Sequence, residues 1–141
     1  MVYLDTSAAV PLFVTEPSSE LVERWFETCD EPVVSADWIV TEFASALSIK
    51  ERTGALAAKD AKSAWRGFEK FCQSGLRLAP VSRSAFEQAA ALARQPAHGL
   101  RSSDALHLAV AREIGAESIA TLDKIMTSNS KRLGIKTVEF T

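Results

Sequence analysis

Apolar positions in this chain fall into short runs separated by longer stretches of helical period. Val2-Tyr3-Leu4, Pro32-Val33-Val34-Ser35, Leu76 to Val81, Ser118 to Leu122 and Lys136 to Phe140 are short and rich in apolar or β-branched residues, and they predict five strands. Between them the period changes to that of a helix. After Pro17, residues Leu21, Val22, Trp25 and Phe26 fall on one side of a helix. A second helix is predicted from Asp37 to Arg52, ending before Gly54, and a third from Leu56 to Gln73, ended by Ser74-Gly75. Ser82 to Gln95 is Ala-rich and helical, stopped by Pro96 and Gly99. Ser102 or Ser103 is read as the cap of a helix reaching Glu113, and a last helix ends near Gly134. Near the start, Thr6 and Ser7 are read as caps of a short helix broken near Pro11.

Strands alternating with helices of this length predict a parallel sheet covered on both faces. Short apolar strands agree, because a sheet covered on both faces has no polar side. Ligands in such folds sit beyond the carboxyl ends of the strands. Asp5 and Asp123 fall at two of those ends.

Composition narrows the class. With 141 residues, 47% of them apolar, residues 1–141 are expected to form a single domain that needs no disulfide or metal staple. Cys29 and Cys72 are read as buried thiols of a reducing cytosol. No uncharged apolar run approaches the roughly 18 residues of a membrane span, and the start lacks a basic leader segment, so a cytoplasmic protein is expected. The net charge of −2 argues against an overall basic coat for duplex DNA, although a local basic patch remains compatible.

Four acids stand out by position: Asp5, Glu42, Asp104 and Asp123. Glu42 has Trp38, Ile39, Ala46 and Ile49 at helical spacing, an apolar face on which a carboxylate is costly unless compensated. Asp104 has Leu100, Leu108 and Ala111 around it on its helix. Singly, Asp5, Asp104 and Asp123 read equally well as helix-start residues, which favour negative charge. Together, with no adjacent run of Lys or Arg, they would repel one another. A hard divalent cation such as Mg²⁺ or Mn²⁺, which takes oxygen ligands, resolves that repulsion. Other chemistries lack their motifs. There is no Gly-x-x-x-x-Gly-Lys-Ser/Thr loop, no Gly-x-Gly-x-x-Gly turn, no Gly-x-Ser-x-Gly elbow and no zinc spacing around His98 and His107. His107 shares a helical face with Asp104 and is read as a supporting residue.

Four segments carry a family resemblance: Val2-Tyr3-Leu4-Asp5-Thr6-Ser7-Ala8, Thr41-Glu42-Phe43-Ala44-Ser45-Ala46-Leu47, Leu100 to Ala109, and Ala120-Thr121-Leu122-Asp123. In order and spacing the chain resembles the PIN domain family, and within it the VapC toxins of toxin–antitoxin pairs. The resemblance implies a three-layer α/β/α sandwich with a central parallel sheet of about five strands. It also implies a Mg²⁺- or Mn²⁺-dependent endoribonuclease, a homodimer, and a VapB-like antitoxin covering the acidic pocket. Asp5, Glu42, Asp104 and Asp123 match the family's acidic metal and catalytic site, with Thr6, Ser7, Ser103 and Thr121 as supporting residues. Met126 stands where the family usually has an aromatic residue, three positions after the final Asp.

The alternatives are an RNA-processing PIN nuclease without an antitoxin, or a degenerate PIN module that only binds protein. A haloacid-dehalogenase-type phosphatase needs a second acid two residues after the first, where this chain has Ser7. A receiver-like domain needs paired acids at the first strand.

RNA also needs positive charge. On the Leu56–Gln73 helix, at about 100° per residue, Lys59, Lys62, Arg66 and Lys70 fall within an arc of roughly 80°. Ala57, Ala61, Ala64, Phe68, Phe71 and Cys72 lie opposite. This basic stripe is a candidate for tracking a phosphate backbone, or else a plain solvated face. Arg77, Arg83 and Arg101 are further candidates.

Overall fold

Strand β1 (Val2–Leu4) is wholly buried and lies at the centre of a five-stranded, all-parallel sheet. The computed structural model describes residues 1–141, and its strand order is β3-β2-β1-β4-β5. The other strands are β2 (Val33–Ala36), β3 (Arg77–Ala79), β4 (Ser118–Ala120) and β5 (Lys136–Thr137). Tyr3 pairs with Val34 on one side and Ile119 on the other.

Alternation along the strands divides the interior into two cores. Val2, Leu4, Val33 and Ala120 point to one face, where they meet Ile39, Phe43, Leu47 and Phe68. Tyr3, Val34, Ala36 and Ile119 point to the other, against Leu108, Val110 and Met126. The first face is covered by α1 (Thr6–Ala9), α2 (Ser19–Thr28), α3 (Trp38–Arg52) and α4 (Ala58–Ser74). The second is covered by α5 (Arg83–Ala93), α6 (Ser102–Glu113) and α7 (Lys124–Arg132). This is the three-layer parallel arrangement expected from the alternation of elements. Phe43 of α3 stacks on Phe68 of α4, with ring centroids 3.9 Å apart and planes 7° from parallel. That stacking fixes the rotation of α3 and with it the direction of the neighbouring Glu42. Between α3 and α4, Gly54 takes a left-handed φ of 79°, a turn only glycine makes cheaply.

Several local expectations are corrected. Thr6 and Ser7 lie inside α1 rather than capping it, and Asp5 occupies the cap position without a capping hydrogen bond. The short helix does break near Pro11: α1 ends at Ala9, and Pro11 sits in a 3₁₀ turn, Val10–Leu12. Arg101, not Ser102 or Ser103, is the cap position of α6, again with no side-chain bond. Ala57 lies just ahead of α4, exposed, and so is no part of its apolar face. Cys29 and Cys72 are free but only half-buried. The fifth strand is shorter than its apolar pattern suggests, and a 3₁₀ turn at Pro96–His98 lies outside the predicted elements. Ser82 does cap α5, its Oγ accepting from the Ala85 N–H at 2.9 Å. No helix is long and apolar enough to cross a membrane.

The chain leaves β1 toward β2 and β3, then returns across the sheet to β4 on the other side of β1. The switch point of the topology therefore lies between the carboxyl ends of β1 and β4, where such folds bind ligands.

Candidate functional site

Asp5 follows β1 and Asp123 follows β4, so the switch point is flanked by two carboxylates. Glu42 arrives from the second turn of α3, which continues from β2. Asp104 sits in the first turn of α6. The fold thus brings all four predicted acids to one end of the sheet, from both helical layers.

Asp5 is almost wholly buried, and hydroxyl groups solvate it. Its Oδ2 accepts from Ser7 Oγ at 2.7 Å and from Thr121 Oγ1 at 2.8 Å. Ser7 Oγ also accepts the Leu122 N–H at 2.9 Å, and Thr121 Oγ1 the Asp123 N–H at 3.1 Å. These bonds stitch the ends of β1 and β4 together and leave Asp5 Oδ1 without a hydroxyl partner. Asp123 caps α7 through Oδ1, which accepts the Met126 N–H at 2.8 Å, so its second oxygen remains open. Met126, three positions after Asp123, is fully buried in the core.

Glu42 is held differently. Oε1 accepts from Thr6 Oγ1 at 2.7 Å and from His107 Nε2, while Oε2 accepts from Ser103 Oγ. Trp38 Nε1 in turn donates to Ser103 Oγ at 3.2 Å. Burial alone would raise the Glu42 pKa, but the bonds from His107, Ser103 and Thr6 and the His107 charge outweigh it, so the group is held below its usual range. Burial likewise pushes His107 down, yet the Glu42 bond and the fields of Asp5, Glu42 and Asp104 leave it raised overall. Three donors occupy three of the roughly four acceptor sites of a carboxylate, leaving one on Oε2.

Asp104 has no such support. Burial and the fields of Asp5, Asp123 and Glu42 push its pKa up from 3.8 to about 6, with only His107 opposing. No Lys or Arg forms an ion pair with any of the four acids. No three of the chain's His, Cys, Asp and Glu side chains stand close enough to form a ready-made metal shell. The donor chemistry nevertheless fits a hard divalent cation. The donors are all oxygen, several are open, and the electrostatic cost of ionised Asp104 is one that a bound cation relieves.

The structure brings together the four acids singled out in the sequence, and each of the hydroxyl residues Thr6, Ser7, Ser103 and Thr121 bonds one of them. Tyr3 and Trp38, which the sequence reading did not single out, join the same network of bonds. Tyr3 is fully buried, its hydroxyl 2.5 Å from His107 Nδ1. A phenol in a short buried strand, with a histidine on the facing helix, was the available signal. Away from the acids, Lys59, Lys62, Arg66 and Lys70 are all exposed on α4. Lys62 and Arg66, with Trp65, line an open groove of about 470 Å³ between α3 and α4.

Comparison with known proteins agrees with this arrangement. Residues 2–131 match the family model of the PIN domain. Ribonuclease VapC49 of Mycobacterium tuberculosis is 34% identical over 115 residues, 82% of this chain and 77% of that protein. The crystal structure of M. tuberculosis VapC20, a Sarcin-Ricin loop cleaving toxin, superposes with a TM-score of 0.74 at 18% identity, covering 92% of this chain and 95% of that one. A chain of a Klebsiella pneumoniae toxin–antitoxin complex has a TM-score of 0.65 at 15% identity, covering 100% of this chain and 98% of that one. At such identities the two structural likenesses bear on the fold alone.

Proposed function

The chain belongs to the PIN domain family, and from that premise we propose that it is a divalent-metal-dependent endoribonuclease acting as the toxin of a VapBC-type toxin–antitoxin pair. The observation that carries the reading is the convergence of Asp5, Glu42, Asp104 and Asp123 at the switch point with no cation to neutralise them. Residues 1–141 act in this reading as one domain, supported by a single sheet that carries both cores. The chain works in the cytoplasm as a homodimer with a VapB-like antitoxin.

Asp5 through Oδ1, Asp104, Asp123 through its open oxygen and Glu42 through Oε2 would hold Mg²⁺ or Mn²⁺. When bound, the ion supplies positive charge to a scissile phosphate and makes a nearby water more acidic. The chain's own groups do the rest. Ser7 and Thr121 hold the Asp5 carboxylate through Oδ2, and Thr6 donates to Oε1 of Glu42. The test is cleavage of total bacterial RNA by the purified protein. Cleavage with Mn²⁺ or Mg²⁺ that stops on chelation is expected, as is growth arrest on expression. Cleavage that continues undiminished in chelator would overturn the metal-dependent reading.

The stripe Lys59, Lys62, Arg66 and Lys70 serves RNA in this reading, supported by its exposure and by Trp65 beside Lys62 and Arg66 in the groove, where Glu69 is the one acid. Paired charge and aromatic surface suit a single strand, whose phosphates and bases both need partners. Replacing Lys62 and Arg66 together with Glu is expected to weaken RNA binding and to lower the salt slope by about one for each phosphate left without its cation. Titration at several salt concentrations reads this directly, and an unchanged slope leaves the stripe a solvated face.

A further inference from the structure

We propose that His107 is a positioning residue of the acidic site, which with Ser103 forms a two-pronged clamp that fixes the Glu42 carboxylate. The inference rests on the acidic-site reading above and adds to it a residue outside the four acids. Ser103 and His107 are four residues apart on α6, so they share one helical face. One prong takes each oxygen, Ser103 Oγ donating to Oε2 and His107 Nε2 to Oε1. Both prongs come from the layer opposite α3, so the clamp spans the end of the sheet and joins the two helical layers at the site.

The ring itself cannot swing. His107 is fully buried, its edge packs against Tyr3 with centroids 5.6 Å apart, and Tyr3 Oη holds Nδ1 at 2.5 Å. A hydrogen bond at one ring nitrogen orients the other, which here points Nε2 at Glu42. Nε2 also lies 3.9 Å from Asp5 Oδ1, so the imidazole sits between two of the acids. Without the clamp, a glutamate with several rotatable bonds would face the repulsion of Asp5, Asp104 and Asp123 and would turn away from them. A buried histidine that only filled space would need its hydrogen bonds satisfied, but not one prong of a pair divided between the two oxygens of a single carboxylate.

The experiment measures Mn²⁺ affinity by calorimetry and cleavage of total bacterial RNA for four variants. His107→Leu keeps apolar bulk and removes the donor. His107→Gln places an amide N–H near the position of Nε2. Ser103→Ala removes the other prong from a half-exposed position where folding is not at risk, and Asp104→Asn serves as the reference. His107→Leu is expected to weaken Mn²⁺ binding and cleavage by roughly 10- to 100-fold, the usual loss when a partner of a metal ligand is removed. Most of it should return in His107→Gln, and Ser103→Ala should lose about 10-fold in Mn²⁺ affinity. Wild-type Mn²⁺ affinity in folded His107→Leu overturns the proposal. So does a His107→Gln protein as impaired as His107→Leu, because ring packing would then be the whole contribution. If His107→Leu does not fold, wild-type affinity in Ser103→Ala overturns the clamp. Asp104→Asn cleaving at the wild-type rate overturns the acidic-site reading itself. An inactive Asp104→Asn beside a fully active His107→Leu overturns the positioning role alone.

Discussion

Asp5→Asn is expected to reduce RNA cleavage at least about 100-fold while leaving the fold intact, since several kcal/mol of transition-state charge stabilisation depend on the site and each 1.36 kcal/mol is tenfold in rate. The substitution is nearly isosteric. The Asn carbonyl oxygen can still accept from Ser7 and Thr121, which occupy a single oxygen of Asp5. Its amide nitrogen then takes the place of Oδ1 and offers a donor where the site needs a charged acceptor. The seam between β1 and β4 therefore survives and the chemistry does not. Assay of total RNA cleavage beside circular dichroism separates the two, and growth arrest on expression should vanish with the activity. Undiminished cleavage by a well-folded Asp5→Asn protein would remove Asp5 from the site.

The layout of this site was legible because its residues sit at places that sequence alone defines. Asp5 and Asp123 end apolar strands, and strand ends in a parallel sheet are where ligands bind. The apolar spacing around Glu42 marked it, although the buried face of α3 is Ile39, Phe43 and Leu47, with Glu42 half-buried at its margin and Ile49 exposed. The sheet with helices on both faces followed from the alternation of short apolar runs with helical periods, and all five strands are present. What sequence could not supply was competition between acceptors. Ser103 lies inside the first turn of α6 rather than at its cap, and its hydroxyl turns to the charged carboxylate of Glu42, a charge-assisted bond. Ser7 likewise lies inside α1 and turns its hydroxyl to Asp5. Asp123 does cap, because only one of its oxygens is needed for that purpose. Tyr3 was invisible as a site residue because a buried strand position explains a tyrosine adequately until its hydroxyl is seen to meet His107. The shortness of β5 is an edge effect. Lys136 and Thr137 pair with β4 on one side only, the Val138 N–H makes a last bond to Ile119 O at 2.9 Å, and the side chains of Val138 and Phe140 pack on the core.

Asp104→Asn is expected to act in opposite directions with and without metal. In the folded protein the Asp104 carboxyl titrates near 6 instead of 3.8, because it is partly buried and faces three acids. Between those values the folded state binds more protons than the unfolded state, so stability falls as pH rises through the window. The cost is absent below about pH 4 and complete above about pH 7. Asparagine never ionises and never incurs it. At pH 8 without metal the variant should therefore be the more stable protein, by on the order of 1 kcal/mol once solvent screening of a half-exposed group is allowed for. At pH 4 the difference should close. Metal reverses the order. An ion that binds only the folded site stabilises it by about 2.7 kcal/mol at a hundredfold excess over its dissociation constant. Wild type gains that increment with Mn²⁺ at pH 8, whereas the variant, short of one open carboxylate, gains little. Thermal melts at the two pH values, with and without Mn²⁺, read all four quantities. An Asp104→Asn protein with the full Mn²⁺ shift, or with no advantage at pH 8 in its absence, would mean that the charge on Asp104 is neutralised by something other than a cation bound among these four acids.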